Sequence, residues 1–322
     1  MHADNKPQWN GRRQGFYEVW YYKLNHLDAN NSLWLRFTTL SRKDGSKEVA
    51  EVWAIYTHSN GQKQAFKSTF PASKFCSEKP GLVQIENSNF DEGSTKGSVG
   101  EISWDLKFKS NDFTFHHVPS ILGSLGLAKS KVCKPNIDIH FNGEFRVKDK
   151  VFRFNNAPGC QGHIWGSRYA LDWAWAHCNS FQDSNGEDVI FDMLSARVLL
   201  GGIIPSPQMS ALYVKARNQV WEFHSLKDAL SIKSFYSPSS WCLGAQKGST
   251  KFTIEIEARP ELMAGVKYEA TDGQILYCHN TAFAHTRLAV FEGKQMIFEA
   301  KSQVASYEFV KREQNPLVEF VL

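Results

Sequence analysis

Apolar and polar residues alternate with a period of two along much of this chain. In residues 102–108 every second residue is apolar, and residues 137–142 and 252–257 repeat the pattern. Such alternation is typical of antiparallel β-strands that have one face in a core and the other toward water. Turn-forming clusters of Gly, Asn, Asp and Ser separate the strands, for example at residues 43–46 and 59–61. The pattern predicts an all-β fold.

The length of the chain indicates how many domains it forms. With 322 residues, it has room for two domains of ordinary size. Two antiparallel β-barrels or sandwiches packed together fit this length better than one, and a polar turn places their boundary near residue 182. We predict domains at residues 12–182 and 183–322, with minor helix around residues 225–232.

The net charge and the absence of common motifs argue against several classes of ligand and reaction. The net charge of +4 is small and no run of Lys or Arg is present, so no nucleic-acid partner is predicted. The sequence has no G-x-G-x-x-G, P-loop or G-x-S-x-G motif. We therefore expect no cofactor and no serine-nucleophile hydrolysis.

Cysteine spacing and hydropathy bear on the cellular location. The six cysteines are scattered without a C-x-x-C pair, which indicates free, mostly buried thiols in a reducing compartment. No apolar segment typical of a signal peptide or a membrane-spanning helix is seen. These observations predict a cytoplasmic protein. Transient contact with a membrane surface stays compatible with them, and the oligomeric state is left open.

Residues 159–181 contain three tryptophans, two histidines and one arginine. If residues 171–179 form a strand, Trp173, Trp175 and His177 project to one face. The small residues between them then project to the other face. Upstream, His163 and Trp165 form a second pair of this spacing. If the two segments are neighbouring strands, two imidazoles and three indoles converge on one pocket. A metal would need a third ligand, so no metal site is predicted.

Two segments carry a resemblance to a known family. Residues 15–22 read Gly-Phe-Tyr-Glu-Val-Trp-Tyr-Tyr, and residues 163–166 read His-Ile-Trp-Gly, followed by the tryptophans at 173 and 175. This combination resembles the lipocalin-like double-barrel family of carotenoid 1,2-hydratase, the AttH-type proteins and the fungal decalin-forming Diels–Alderases. In the hydratase branch a Tyr-x-Asp pair follows the His-x-Trp pair. The matching positions here are Ile190 and Asp192, so the aspartate is kept and the tyrosine is not.

The resemblance implies two lipocalin-like barrels and a hydrophobic pocket for polyene or isoprenoid molecules. The implied chemistry is acid-assisted hydration, cyclisation or isomerisation. The residues assigned as catalytic are His163, Asp192 and His177. The residues assigned to substrate binding are Trp165, Trp173, Trp175, Trp20, Tyr22, Glu18 and Arg168.

A physical mechanism follows from these residue types. Asp192 lies in an apolar run, and burial among indoles raises the pKa of a carboxyl group, so it is the expected acid. Tryptophan faces stabilise a developing carbocation. Either His163 or His177 orients a water molecule or collects the final proton. The adjacent His116 and His117 are interpreted as solvated side chains.

Two other interpretations are open at the level of sequence. In the first, the protein is a non-catalytic carrier or sensor of an apolar ligand, and the tryptophans form the wall of its pocket. Alternatively, the tryptophans fill a solid core and no pocket exists. A structure without a cavity beside Trp165 and Trp175 would favour the solid core.

Overall fold

The chain folds into two large, curled antiparallel β-sheets with very little helix. The structure is a computed structural model that describes residues 3–11, 13–77, 82–119, 121–122, 128–184, 187–200 and 203–322. Within these residues it contains 24 strands, numbered here in chain order.

The first sheet has twelve strands in the order β4-β3-β2-β1-β12-β11-β9-β8-β7-β6-β5, with β10 paired to β11. Their bounds are β1 Phe16–His26, β2 Asn31–Ser41, β3 Glu48–His58, β4 Lys63–Pro71, β5 Phe75–Cys76, β6 Val83–Ile85, β7 Ser88–Phe90, β8 Ser94–Val99, β9 Ile102–Lys107, β10 Phe115–His116, β11 Ser130–Val147 and β12 Lys150–Gly166.

The second sheet has ten strands in the order β18-β17-β14-β13-β24-β23-β21-β20-β19, with β22 paired to β23. Their bounds are β13 Asp172–Cys178, β14 Ile190–Arg197, β17 Met209–Ala216, β18 Gln219–Phe223, β19 Lys233–Tyr236, β20 Ser240–Lys247, β21 Thr250–Glu257, β22 Ala264–Glu269, β23 Ile275–Glu292 and β24 Gln295–Lys311.

The remaining elements are short. Strands β15 (Leu199–Leu200) and β16 (Ile204–Pro205) form a two-stranded sheet. Helix α1 (Leu226–Ser231) begins at the N-cap Ser225, whose side chain accepts a hydrogen bond from the Asp228 amide. Three 3₁₀ turns complete the structure at Ala3–Asn5, Ala72–Lys74 and Pro260–Leu262.

Strand alternation divides the apolar side chains among three packed regions. In β1, Trp20, Tyr22 and Leu24 lie in the core of the first sheet. In β13, the small residues Ala174 and Ala176 lie in the core of the second sheet. The opposite faces of β1 and β13 meet in a third cluster between the sheets, which contains Tyr17, Val19, Tyr21 and Trp175. Both faces of β1 are therefore buried, and all eleven of its residues are shielded from solvent.

The predicted fold of two packed lipocalin-like barrels is confirmed, as is the helix near residue 226. The chain passes from the first sheet to the second between Gly166 and Asp172, ahead of the boundary predicted near residue 182. The division into domains 12–182 and 183–322 stays a prediction. All six cysteines are free, and four of them are buried. No helix among the described residues has the length and apolar character needed to cross a membrane.

Candidate functional site

A cavity of about 150 Å³ lies between the two sheets. Strand β1 supplies Tyr17, Val19 and Tyr21 to its wall, and β13 supplies Trp173 and Trp175. Further wall residues come from β2 (Arg36), β12 (Ile164), β14 (Leu194), β17 (Met209) and the segment after β10 (His117). The cavity is therefore bounded by the outer faces of both sheets, and it is mostly apolar.

The tryptophans of β13 take the positions predicted from strand alternation. Trp175 is buried and Trp173 is partly buried, and both line the cavity. Arg168, in the turn before β13, also lines it. A solid core at Trp175 is therefore not what the chain forms. The cavity does not reach Trp165, contrary to the expectation for that residue.

His163 and Trp165 lie away from the cavity, because their side chains project from the face of β12 opposite to that of Ile164. Strand β12 pairs with β1 and β11 in the first sheet, whereas β13 pairs with β14 and β24 in the second. Within this segment it is Ile164 that lines the cavity. The predicted convergence of His163 and His177 on one pocket is wrong.

His163 instead holds the N-terminal segment against the first barrel. Its Nδ1 donates to the main-chain oxygen of Asp4 at 2.7 Å, and its Nε2 is hydrogen-bonded to Glu18 Oε1 at 2.9 Å. Glu18 also accepts the amides of Gln8 and Trp9. Trp165 packs on the His163 ring with centroids 4.4 Å apart. Glu18 and His163 are fully buried, so both serve as internal anchors here rather than as cavity residues.

Trp20 and Tyr22 lie in the interior of the first barrel. Both belong to its core cluster, and the Tyr22 hydroxyl accepts a hydrogen bond from Gln161 Nε2 at 2.8 Å. Trp20 Nε1 donates to the main-chain oxygen of Asn5. These positions correct their assignment to the substrate pocket. The alternation of β1 explains the error, because the odd-numbered residues and not the even-numbered ones face the second sheet.

Asp192 lies on β14, fully buried beneath the cavity, in a network of charged and polar groups. Its Oδ1 is 2.5 Å from His117 Nε2, and its Oδ2 accepts the Trp175 indole N–H at 3.1 Å. Lys134 Nζ is 3.3 Å from Oδ2 and stands 4.0 Å from the centre of the Trp175 ring. All polar atoms of the carboxylate thus have charged or hydrogen-bonding partners.

The pKa of Asp192 moves opposite to the expectation from sequence. Burial alone raises it, but Lys134 and His117 outweigh burial and hold the pKa at about 2. Asp192 is therefore a carboxylate at neutral pH. The prediction of a protonated Asp192 as the acid is wrong, because the sequence did not reveal that Lys134 packs against it.

His117 is the imidazole that both contacts Asp192 and lines the cavity. Since a carboxylate only accepts hydrogen bonds, Nε2 carries the hydrogen that points at Asp192. The other nitrogen, Nδ1, is buried and has no hydrogen-bond partner among the described residues. A buried, unpartnered nitrogen on a cavity wall is suited to exchange a proton with a bound molecule.

His177 lies beneath the same cavity but is engaged elsewhere. Its Nε2 donates to the main-chain oxygen of Ile137 at 2.8 Å. Burial lowers its pKa, but the Cys160 sulfur beside it and the Asp192 carboxylate together raise the pKa above the ordinary histidine value. In turn, His177 and Lys134 lower the pKa of Cys160 against the effect of burial. His177 and Asp192 face each other across β13 and β14, so the structure brings these two predicted residues together.

A second polar group lies on another part of the cavity wall. Arg36, Tyr169, Tyr268 and Glu308 all line the cavity. Glu308 accepts the Trp173 indole N–H at 2.7 Å and the Tyr268 hydroxyl at 3.1 Å. The cavity therefore has an apolar body and two polar regions, one around His117 and one around Arg36.

Sequence reasoning missed His117, Lys134, Arg36 and Glu308. A signal for His117 was present, because it lies two residues after Phe115 and strand alternation puts it on the same face as that apolar residue. No comparable signal marks Lys134. Two residues of β11 face one residue of β12 between Cys133 and Asn136, and such a bulge redirects side chains. Among the described residues, no three His, Cys, Asp or Glu side chains group as metal ligands do.

Several solved structures share this fold. An AttH protein of Nitrosomonas europaea aligns with a TM-score of 0.55 at 10% identity, covering 92% of each chain. CghA, solved with Sch210972, aligns with a TM-score of 0.59 at 9% identity, covering 93% of this chain and 89% of that one. Kievitone hydratase from Nectria haematococca aligns with a TM-score of 0.53 at 9% identity, covering 96% and 94%.

At such low identity these likenesses establish the fold alone. No curated protein sequence matches the chain significantly. The sequence model of the tocopherol cyclase-like family matches residues 138–310, which is more than half of the chain. The matched region runs from β11 to β24 and includes Asp192 and the cavity residues of β13. The double-barrel resemblance stated from the sequence is thereby confirmed, and the chain belongs to the tocopherol cyclase-like family.

Proposed function

We propose that the protein is an enzyme that acts on a hydrophobic unsaturated small molecule in the cavity between the sheets. The reaction is an acid-assisted hydration, cyclisation or isomerisation, with no redox cofactor. The observation that carries the proposal is His117, which lines an apolar cavity, bonds Asp192 through Nε2 and leaves Nδ1 unpartnered. The family supports it, since its name and the names of structural neighbours denote cyclases and hydratases.

In this mechanism His117 moves the proton and Asp192 orients His117. The Asp192 carboxylate keeps a hydrogen on Nε2, so Nδ1 is the atom that gives a proton to the substrate and later takes one back. Lys134 and the Trp175 indole hold the carboxylate in place. A positioned acid–base group of this kind contributes roughly 10²- to 10⁴-fold to a rate.

The rest of the wall suits a carbocation-like transition state. Val19, Ile164, Leu194 and Met209 exclude water from the reacting carbons. The ring of Trp173, stacked on Tyr169 at 5.9 Å between centroids, offers a π-face to developing positive charge. Trp175 is less available for this role, because Lys134 already stands over its ring.

A turnover assay that compares variants of the adjacent His116 and His117 tests this mechanism. Purified protein is incubated in D₂O with a panel of polyenes and prenylated phenols, and products are followed by mass spectrometry. We expect a product with deuterium bound to carbon, and we expect His117→Gln to lower turnover by about 100-fold or more. The matched control is His116→Gln, since His116 is exposed and outside the cavity wall, and its turnover should equal that of the wild type.

Two results would contradict the proposal. Turnover by His117→Gln at the wild-type rate would remove His117 from the mechanism. Tight binding of an apolar ligand that the wild type always returns unchanged would favour the carrier instead. The cytoplasmic location, the lack of a nucleic-acid partner and transient membrane-surface contact accompany the proposal as untested expectations.

A further inference from the structure

Arg36 is a buried cation on the wall of the cavity. It lies on β2, paired with Tyr21 of β1 on one side and Trp53 of β3 on the other, and it is only 4% exposed. Its alternation partner Trp34 also lines the cavity. Arg36 thus points from the first sheet toward the second, and the second sheet covers it.

The guanidinium has neutral partners where a carboxylate would be expected. Nε donates to Thr38 Oγ1 at 2.9 Å, and Nη2 donates to the Tyr169 hydroxyl at 3.2 Å. Its central carbon stands 4.0 Å from the centre of the Tyr268 ring. Arg36 takes part in none of the ion pairs formed among the described residues. Glu308 and Glu51 stabilise its charge from a distance, but neither is in ion-pair or hydrogen-bond contact with it among the described residues. The guanidinium therefore keeps N–H donors for an anion that is supplied from outside.

The nearest acids on this side are committed to other groups. Glu51 accepts the Trp53 indole N–H at 3.0 Å and lies 3.8 Å from Lys67. Glu308 accepts the Trp173 indole and the Tyr268 hydroxyl. These hydrogen bonds hold both carboxylates away from bidentate contact with Arg36.

We propose that Arg36 binds a carboxylate carried by the substrate, so that the enzyme acts on an unsaturated acid with an apolar body. This inference rests on the proposed function and adds the chemical class of the substrate. The carboxylate would bond to the guanidinium and the Tyr169 hydroxyl, while the apolar body fills the cavity toward His117. Arg36 is then a substrate-binding residue that fixes which carbon lies near Nδ1 of His117.

Binding of geranic acid and of methyl geranate by the wild type tests this directly. The two probes share the same unsaturated body, and only the acid carries a charge. Affinity is measured by calorimetry at neutral pH, independently of turnover. We expect the acid to bind at least about tenfold more tightly than the ester, because hydrogen bonds to charged groups are worth roughly that factor or more. Equal affinities would overturn the proposal.

Two charge-removing variants separate ligand binding from folding. Arg36→Gln should lose the preference for the acid and keep its affinity for the ester. Glu308→Gln removes a negative charge from the same wall and should bind the acid as tightly as the wild type or more tightly. If both variants weaken acid binding equally, Arg36 is only a structural partner of Glu308 and the proposal fails.

A third variant covers the case in which Arg36→Gln does not fold. Arg36→Lys keeps the charge and should keep the preference for the acid; loss of that preference in a folded Arg36→Lys protein would count against a simple charge contact. Selective binding of acids by a wild type that turns none of them over would refute the proposed enzyme while leaving the acid site intact.

Discussion

At the scale of single residues, the buried ion pair of Asp192 and Lys134 dominates the site. Both side chains are fully shielded from solvent, and their closest charged atoms are 3.3 Å apart. Such a pair contributes little net stability compared with apolar residues of similar size, but breaking it leaves an uncompensated buried charge. The pair therefore serves to keep Asp192 ionised beneath His117.

A double-mutant cycle tests this coupling. Asp192→Asn alone leaves Lys134 buried without a counter-charge, and we expect it to lower the free energy of unfolding by about 3–5 kcal/mol. Adding Lys134→Met removes the stranded charge, so the double variant should recover a large part of that loss. Urea denaturation measures all four proteins. Additive losses in the two single variants would show that the pair is not coupled.

The stability of the wild type and of the double variant should depend differently on pH. The ordinary pKa of an aspartate is 3.8, and that of Asp192 in the fold is about 2. The carboxylate therefore stabilises the fold fully above about pH 4, and this contribution is lost as the pH falls to about 2. Between these pH values the wild type should lose about 2 kcal/mol more than the double variant. A parallel pH response of the two would contradict the assignment.

At the scale of elements, β12 and β11 shape the cavity by close approach and by a bulge. Gly162 of β12 faces the second sheet, and a Cβ there would lie 2.4 Å from ring atoms of Tyr21. The bulge opposite it lies at Lys134 and Pro135 of β11. The absence of a side chain at Gly162 thus gives Tyr21 the space to form part of the cavity wall.

Substitution of Gly162 should lower the free energy of unfolding, because a side chain there would clash with Tyr21. Gly162→Ala pushes on the Tyr21 ring in a packed region, and we expect about 1–3 kcal/mol of destabilisation by thermal or urea denaturation. Gly244→Ala in β20 is the matched control, because a Cβ there meets nothing within 4 Å. It should change stability by no more than about 0.5 kcal/mol. Equal stability of the two variants would show that Tyr21 adjusts freely.

At the scale of the whole molecule, the two barrels share a buried interface. The cluster between them contains Tyr17, Tyr21, Trp175 and Val310 from strands of both sheets. Polar contacts cross it as well, since Lys23 Nζ donates to the Thr281 carbonyl at 2.6 Å. A large apolar interface of this kind couples the stabilities of the two halves.

We therefore expect one cooperative unfolding transition for the full chain. Far-UV circular dichroism reports both sheets, and tryptophan fluorescence reports side-chain packing in both barrels and between them; their urea midpoints should coincide. Asn25→Ala removes the hydrogen bond from Nδ2 to the Ala282 carbonyl and should shift both midpoints together. Two resolved transitions, with only one moved by the substitution, would mean that the barrels unfold independently.

The sequence by itself determined the features that depend on local periodicity. Alternation placed the strands, and it put Trp173 and Trp175 on one face of β13, because the side-chain period of a strand is two wherever the strand lies. The short segments at residues 15–22 and 163–166 were enough to indicate the double-barrel family.

Only the tertiary structure decided which faces meet. His163 and His177 are separated because His163 points into the first barrel, whereas His177 contacts Cys160 on the other face of β12; no local pattern encodes that contact. Lys134 of the first sheet packs against Asp192 of the second, and the pKa of Asp192 falls where burial alone would raise it. In the sequence, Arg36 is a charged strand residue of the kind usually exposed to solvent. In the structure, the second sheet covers it. Long-range packing sets the environment of each charge, and the chemistry of the cavity depends on that environment.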